Sequence, residues 1–177
     1  MLDQIDLQLV SELQKDAKAS LLQLGNYVGM SAPSVMERVR KLEQRGVITG
    51  YSADVNAKML GLDITAFIGV SINYPGKIEA FKNWVANEPR VMECHHITGG
   101  ATLLVKIKCR NTSALEELIS IMRSDLGAER TETMVVLSTS EERTTIPIAD
   151  APLPDESGPR AKRKSGPARQ SHAKRNG

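Results

Sequence analysis

Aromatic side chains are scarce, at 3% of the 177 residues, so any hydrophobic core must be built from Leu, Ile, Val and Met. Cysteine is nearly as rare. Cys94 and Cys109 stand apart with no metal-ligand spacing, and neither a CxxC nor an HxxxH occurs. These gaps exclude a disulfide scaffold and a structural zinc motif. No apolar run approaches the ~20 residues that a membrane-spanning helix needs. The opening MLDQIDLQLV carries acids and no basic stretch, so it does not read as a secretory leader. Together these absences predict a cytoplasmic protein with reduced thiols and no membrane partner. Most of the chain also lacks an excess of positive charge. Residues 1–144 hold 16 basic and 18 acidic side chains, a net −2, whereas residues 145–177 hold 7 and 3, a net +4. A nucleic-acid partner would have to be met by a local basic face.

What is present is periodic. Leu2, Ile5, Leu9 and Leu13 recur at helical spacing and predict a first helix over 3–16, with Asp3 as N-cap. Ser20 caps a second helix ending near Gly29, and Ser31 caps a third with Pro33 in its first turn. In that third helix Val35, Val39 and Leu42 point to one side, and Gly46 stops it. Residues 47–54 (VITGYSAD) read as a strand with a turn, a wing. Two short helices joined through a Gly-containing turn are the arrangement that lays one helix into a DNA groove.

A connector over 55–62 leads to a different pattern. Strand 63–73, helix 76–87, strand 91–98, strand 102–110, helix 112–125 and strand 129–140 follow one another, with Gly99-Gly100 at the turn of the central hairpin. This βαββαβ order predicts a ferredoxin-like sheet. Phe81, Trp84, Leu115, Leu118 and Met122 fall on the core faces of its helices. From residue 145 the chain turns rich in Pro, Gly, Ser and basic residues and is expected to be disordered. The fold class is thus α+β: a winged helix-turn-helix (1–54), a linker (55–62), a ferredoxin-like domain (63–144) and a basic tail (145–177).

The pieces LDQIDLQLVSELQKDAK, LLQLGNYVGMSAPSVMERVRKLEQRGVITGY and VMECHHITGGATLLVKI, in this order, resemble the Lrp/AsnC (feast/famine) family of prokaryotic transcription regulators. The resemblance implies a homodimer, often built into an octamer of four dimers, that binds double-stranded DNA and is tuned by a small molecule, usually an amino acid. It places the effector at the turn Thr98-Gly99-Gly100-Ala101-Thr102. Many members carry acidic residues there, whereas here those positions are Gly100 and Thr102, which removes charge that could pair with an ammonium. An ordinary hairpin turn is the other reading of the same glycines.

On the third helix, Ser31, Ser34, Glu37, Arg38, Arg40 and Lys41 are the candidate DNA contacts. Arg and Lys suit phosphate or guanine O6/N7, and Glu37 suits either cytosine N4 or an i,i+4 pair with Lys41. Arg38 lies nearer the buried edge, which suits a phosphate contact or an internal ion pair as well as it suits base reading. Cys94-His95-His96 is no catalytic or metal cluster, because neighbours on a strand face opposite sides. No catalytic residue, metal or cofactor is assigned. A sequence-specific regulator is the reading of the whole. A DNA-wrapping architectural protein and a sirohaem-decarboxylase-like enzyme are its rivals, and the Arg38, Arg40 and Lys41 helix speaks against the enzyme. The basic tail either adds non-specific DNA affinity or is a tolerated extension.

Overall fold

Leu2, Leu9, Leu24, Val35 and Leu42 are all buried together, and this small aliphatic cluster is what assembles the first three helices. A computed structural model describes residues 2–148; the basic tail expected at 145–177 lies, from residue 149 on, outside the described residues. These divide into two units, one running to Ser52 and taking in the segment from Thr144, the other Ala53–Arg143.

In the first unit α1 (Gln4–Lys15), α2 (Leu21–Val28) and α3 (Ala32–Gln44) each begin where the sequence supplies a cap. Asp3 and Ser20 form reciprocal capping boxes with Asp6 and Gln23, satisfying helix N–H groups that would otherwise lack partners. The α2 to α3 turn rests on two glycines. Gly29 takes a left-handed φ of 69°, and Gly25, inside α2, sits where an added Cβ would lie 2.5 Å from the Met30 carbonyl oxygen. The turn can approach α2 only because Gly25 has no side chain.

The wing strand expected over 47–54 is absent. Gly46, at φ 71°, closes a Schellman motif in which the Gly46 N–H donates to the Glu43 carbonyl and the Val47 N–H to that of Leu42. The Ile48 N–H turns to the same Leu42 carbonyl. Donors spent on the end of α3 cannot build a ladder, and Val47 and Ile48 pack on the helical core instead. Tyr51 also folds back, donating its hydroxyl to Glu43 at 2.9 Å. Burial, helped by the Glu43 carboxylate, pushes this phenol up to about 12.

In the second unit a short 3₁₀ turn (Ala57–Leu60), capped by Asn56, occupies the expected connector. Then come β1 (Ile64–Ser71), α4 (Pro75–Val85), β2 (Val91–His96), β3 (Leu103–Cys109), α5 (Thr112–Ser124) and β4 (Arg130–Val135). The sheet order is β2-β3-β1-β4 with every pair antiparallel, the ferredoxin-like arrangement. Alternation decides its faces. Ala66, Ile68 and Val70 of β1 and Leu103, Val105, Ile107 and Cys109 of β3 are buried with Phe81, Leu118 and Met122 from α4 and α5. Phe81 meets Trp84 with ring centroids 5.6 Å apart and planes tilted by 60°. The other face carries Phe67, Leu104, Lys106 and Lys108, and no helix packs against it within this unit. Among the described residues no helix is long and apolar enough to cross a membrane.

Candidate functional sites

The outer surface of α3 is organised around one carboxylate. Glu37 accepts two hydrogen bonds from the Arg40 guanidinium, at 2.7 and 2.9 Å, and lies 3.6 Å from the Lys41 ammonium. Both cations are more than half exposed. The hydrogen bond and charge of Arg40 hold the Glu37 carboxyl below its usual range, so it stays ionised near neutrality. The bonds orient the guanidinium along the helix while leaving it open to a ligand. Ser31 occupies the N-cap position expected of it, but its hydroxyl makes no capping bond. It pairs instead with the Ser34 hydroxyl at 2.9 Å, so two small polar groups sit together at the start of the helix.

Arg38 has a different place. Its Nη1 donates to Asp3 at 2.7 Å and to Asp6 at 2.8 Å, tying the middle of α3 to the first turn of α1. The Asp6 side chain is only 12% exposed, so this bond is sheltered from solvent. Of the roles its place on the helix suits, Arg38 makes the internal ion pair in this structure. Backbone donation from Asp6, with Arg38 beside it, lowers the Asp3 carboxyl. The groove between the α1 start and α3 is lined by Asp3, Asp6, Ser34, Glu37, Arg38 and Lys41. The acids on its α1 side leave only the outer side cationic.

The turn from Thr98 to Thr102 links β2 to β3, and the Ile97 N–H donates to the Thr102 carbonyl to close it. Gly99 has a φ of 120°, which only glycine adopts without strain, while Gly100 stands in open space. Thr98, Gly99 and Gly100 are exposed. Thr102 is a brace: its hydroxyl accepts from the Ile72 N–H at 3.1 Å and donates to the Ile72 carbonyl at 3.3 Å, while its own N–H bonds Val70. Ala101 lies beside Gly69, where an added Cβ would come within 3.3 Å of the alanine methyl. Sequence reasoning passed over Gly69, although a glycine inside a β-branched run signals a close approach.

His95 and His96 pair with Leu104 and Leu103 and so face opposite sides of the sheet. His95 lies 3.2 Å from Glu93, whose other oxygen accepts from Lys106 at 3.0 Å. Among the described residues no group of three His, Cys, Asp or Glu side chains could hold a metal ion. Both cysteines are free, and burial raises the thiol of each.

Known proteins match this architecture along most of its length. The model of the AsnC-type helix-turn-helix domain matches residues 2–43, and that of the Lrp/AsnC ligand binding domain matches residues 65–146. The HTH-type transcriptional regulator FL11 of Pyrococcus abyssi is 36% identical over 147 residues, covering 83% of this chain and 97% of its own length. The leucine-responsive regulatory protein of Escherichia coli is 32% identical over 151 residues, covering 83% and 92%. The crystal structure of a Neisseria meningitidis transcriptional regulator in complex with L-Met superposes with a TM-score of 0.80 at 24% identity, covering 84% of this chain and 98% of that one. With both domains matched in order, the chain belongs to the Lrp/AsnC family of transcriptional regulators.

Proposed function

We propose that α3 enters the major groove of double-stranded DNA, with Arg40 and Lys41 making the charged contacts and Ser31 and Ser34 approaching the backbone at the helix start. The observation that carries this reading is the division of labour on α3: Arg38 is committed to Asp3 and Asp6, while Arg40 and Lys41 face outward beside Glu37. Phosphate contacts release counterions, so each lost cation lowers the slope of log affinity against log salt by about 0.9. Arg40→Ala with Lys41→Ala is expected to weaken binding and flatten that slope by up to about 2. Fluorescence anisotropy across a salt series, on a duplex recovered by selection from genomic fragments, tests this. A slope equal to that of the parent chain would remove both residues from the interface.

The same reading makes the protein a non-catalytic cytoplasmic regulator that works as a homodimer, with the helix-free face of its sheet as the dimer surface and dimers able to assemble further towards an octamer. The turn at Thr98, Gly99, Gly100, Ala101 and Thr102 is the proposed effector site. Exposed N–H groups at Gly99 and Gly100 suit a carboxylate, and relatives named for leucine or solved with L-Met make an amino acid the class to try first. A ligand present at 100 times its dissociation constant adds about 2.7 kcal/mol of stability. A thermal-shift screen of amino acids and keto acids, repeated with Gly100→Val, is expected to show a shift that the substitution abolishes. No shift with any of them would leave the turn as a hairpin.

A further inference from the structure

Gly69, inside β1, has two neighbours that sequence distance hides. A Cβ added there would lie 3.3 Å from the Ala101 methyl and 3.9 Å from the Cβ of Glu132. The missing side chain lets the Thr98–Thr102 turn lean onto β1, and the Thr102 N–H, donating to the Val70 carbonyl at 2.9 Å, holds it there. Register fixes the face. Gly69 stands opposite Leu104 of β3 and opposite Glu132 of β4, so both side chains lie with Ala101 on the helix-free face, two residues beyond Phe67 along β1. The turn itself has no acidic side chain. Glu132, 68% exposed, meets Arg130 at 3.4 Å, and Arg130 is 72% exposed. Such a surface pair contributes little, so the carboxylate can turn to another cation.

We propose that Glu132 is the partner of a ligand ammonium group at this turn, and that the ligand is an amino acid with an apolar side chain. This rests on the turn as the effector site. A zwitterion needs two opposite partners. The exposed N–H groups of Gly99 and Gly100 suit its carboxylate. Glu132, across Gly69 from Ala101, supplies the negative charge that the turn lacks. Ala101 and Leu104, both half-buried, meet the ligand's side chain, and they give a charged one nothing to bind. A 2-keto acid keeps the carboxylate and the side chain but has no ammonium, and its ketone oxygen faces Glu132 unfavourably. Glu132 is therefore what tells an amino acid from its keto acid.

Isothermal titration calorimetry compares L-leucine and L-methionine with their 2-keto acids on the parent chain, Glu132→Gln, Glu132→Asp and Gly100→Val. The parent chain is expected to bind at least one of the two amino acids more tightly than its keto acid. Glu132→Gln keeps the size of the side chain and is expected to weaken that amino acid by about 10- to 100-fold without weakening the keto acid. Its melting temperature without ligand stays that of the parent, because the Arg130 pair is exposed. Glu132→Asp keeps the charge and is expected to retain part of the preference. Equal weakening of both ligands by Glu132→Gln overturns the assignment, as does a loss in Glu132→Asp as large as in Glu132→Gln. Binding that Gly100→Val abolishes and Glu132→Gln leaves intact overturns Glu132 alone and keeps the turn. No binding of either amino acid, or binding that Gly100→Val leaves intact, overturns the turn as a site for apolar amino acids, and Glu132 with it.

Discussion

At the scale of single residues, neighbouring arginines of one helix serve opposite ends. Arg40 is bound to a helix neighbour that leaves it open, whereas Arg38 crosses to the first turn of another helix and is consumed there. Replacing Arg38 by Met removes two charge-assisted hydrogen bonds and leaves Asp3 and Asp6 facing each other without a cation. The expected loss is about 1–3 kcal/mol, read as a lower melting temperature of the helix-turn-helix unit. The salt slope of DNA binding should stay as it was; a flattened slope would mean that Arg38 also meets phosphate. Helical periodicity shows Val35 and Leu42 inward and Arg40 and Lys41 outward, because those orientations depend on angle alone. It does not show the fate of Arg38, whose partners lie 32 and 35 residues earlier and meet it only once the helices pack.

At the scale of elements, caps and glycines decide what the chain does between helices. Gly25→Ala would push a methyl to 2.5 Å from the Met30 carbonyl oxygen, a backbone atom that cannot swing aside. The helix-turn-helix unit is expected to lose about 1–3 kcal/mol, measured by denaturant unfolding, despite the better helix propensity of alanine. Unchanged stability would mean that the turn can slide away from α2. Asp3, Ser20 and Ser31 marked the starts of the first three helices in advance, although only Asp3 and Ser20 make capping bonds. The wing was misread because Val47-Ile48 has the composition of a strand, whereas Gly46 sends its donors back to the end of α3. Composition cannot report where a donor is spent. In the other unit a Glu88–Arg90 pair, extended to Glu117, braces the entry to β2. The Arg90 hydrogen bonds hold the Glu88 carboxyl below its usual range. A depressed carboxyl contributes stability that is fully present above its unfolded value, near 4.5, and is lost as the pH falls through the folded value. Glu88→Gln is therefore expected to lower stability at neutral pH and to flatten its decline between about pH 5 and pH 3, followed by thermal unfolding at each pH.

At the scale of the whole molecule, the sheet of the second unit is covered on one face only. Alternation along β1 and β3 sends Ala66, Ile68, Val105 and Ile107 to the helices, and Phe67, Leu104, Lys106 and Lys108 to the other side. There Phe67 stands opposite Met134 of β4, whose side is half open to solvent, and Leu104 stands opposite Gly69. Charge interrupts this face where Lys106 bridges Glu93 and Glu142. An apolar strip with paired charges at its side is what a second copy related by two-fold symmetry can bury. If it is the dimer surface, Phe67→Glu places an unpaired carboxylate at its centre while leaving the helix-side core untouched. Sedimentation velocity is then expected to show monomers, with Met134→Glu doing the same from a more exposed position. A regulator reading two half-sites needs two copies of α3, so the monomer should bind a palindromic duplex no better than a single half-site, with the salt slope per chain unchanged. Dimers that persist in both variants would place the two-fold axis elsewhere, because a buried unpaired charge costs more than such a strip can regain.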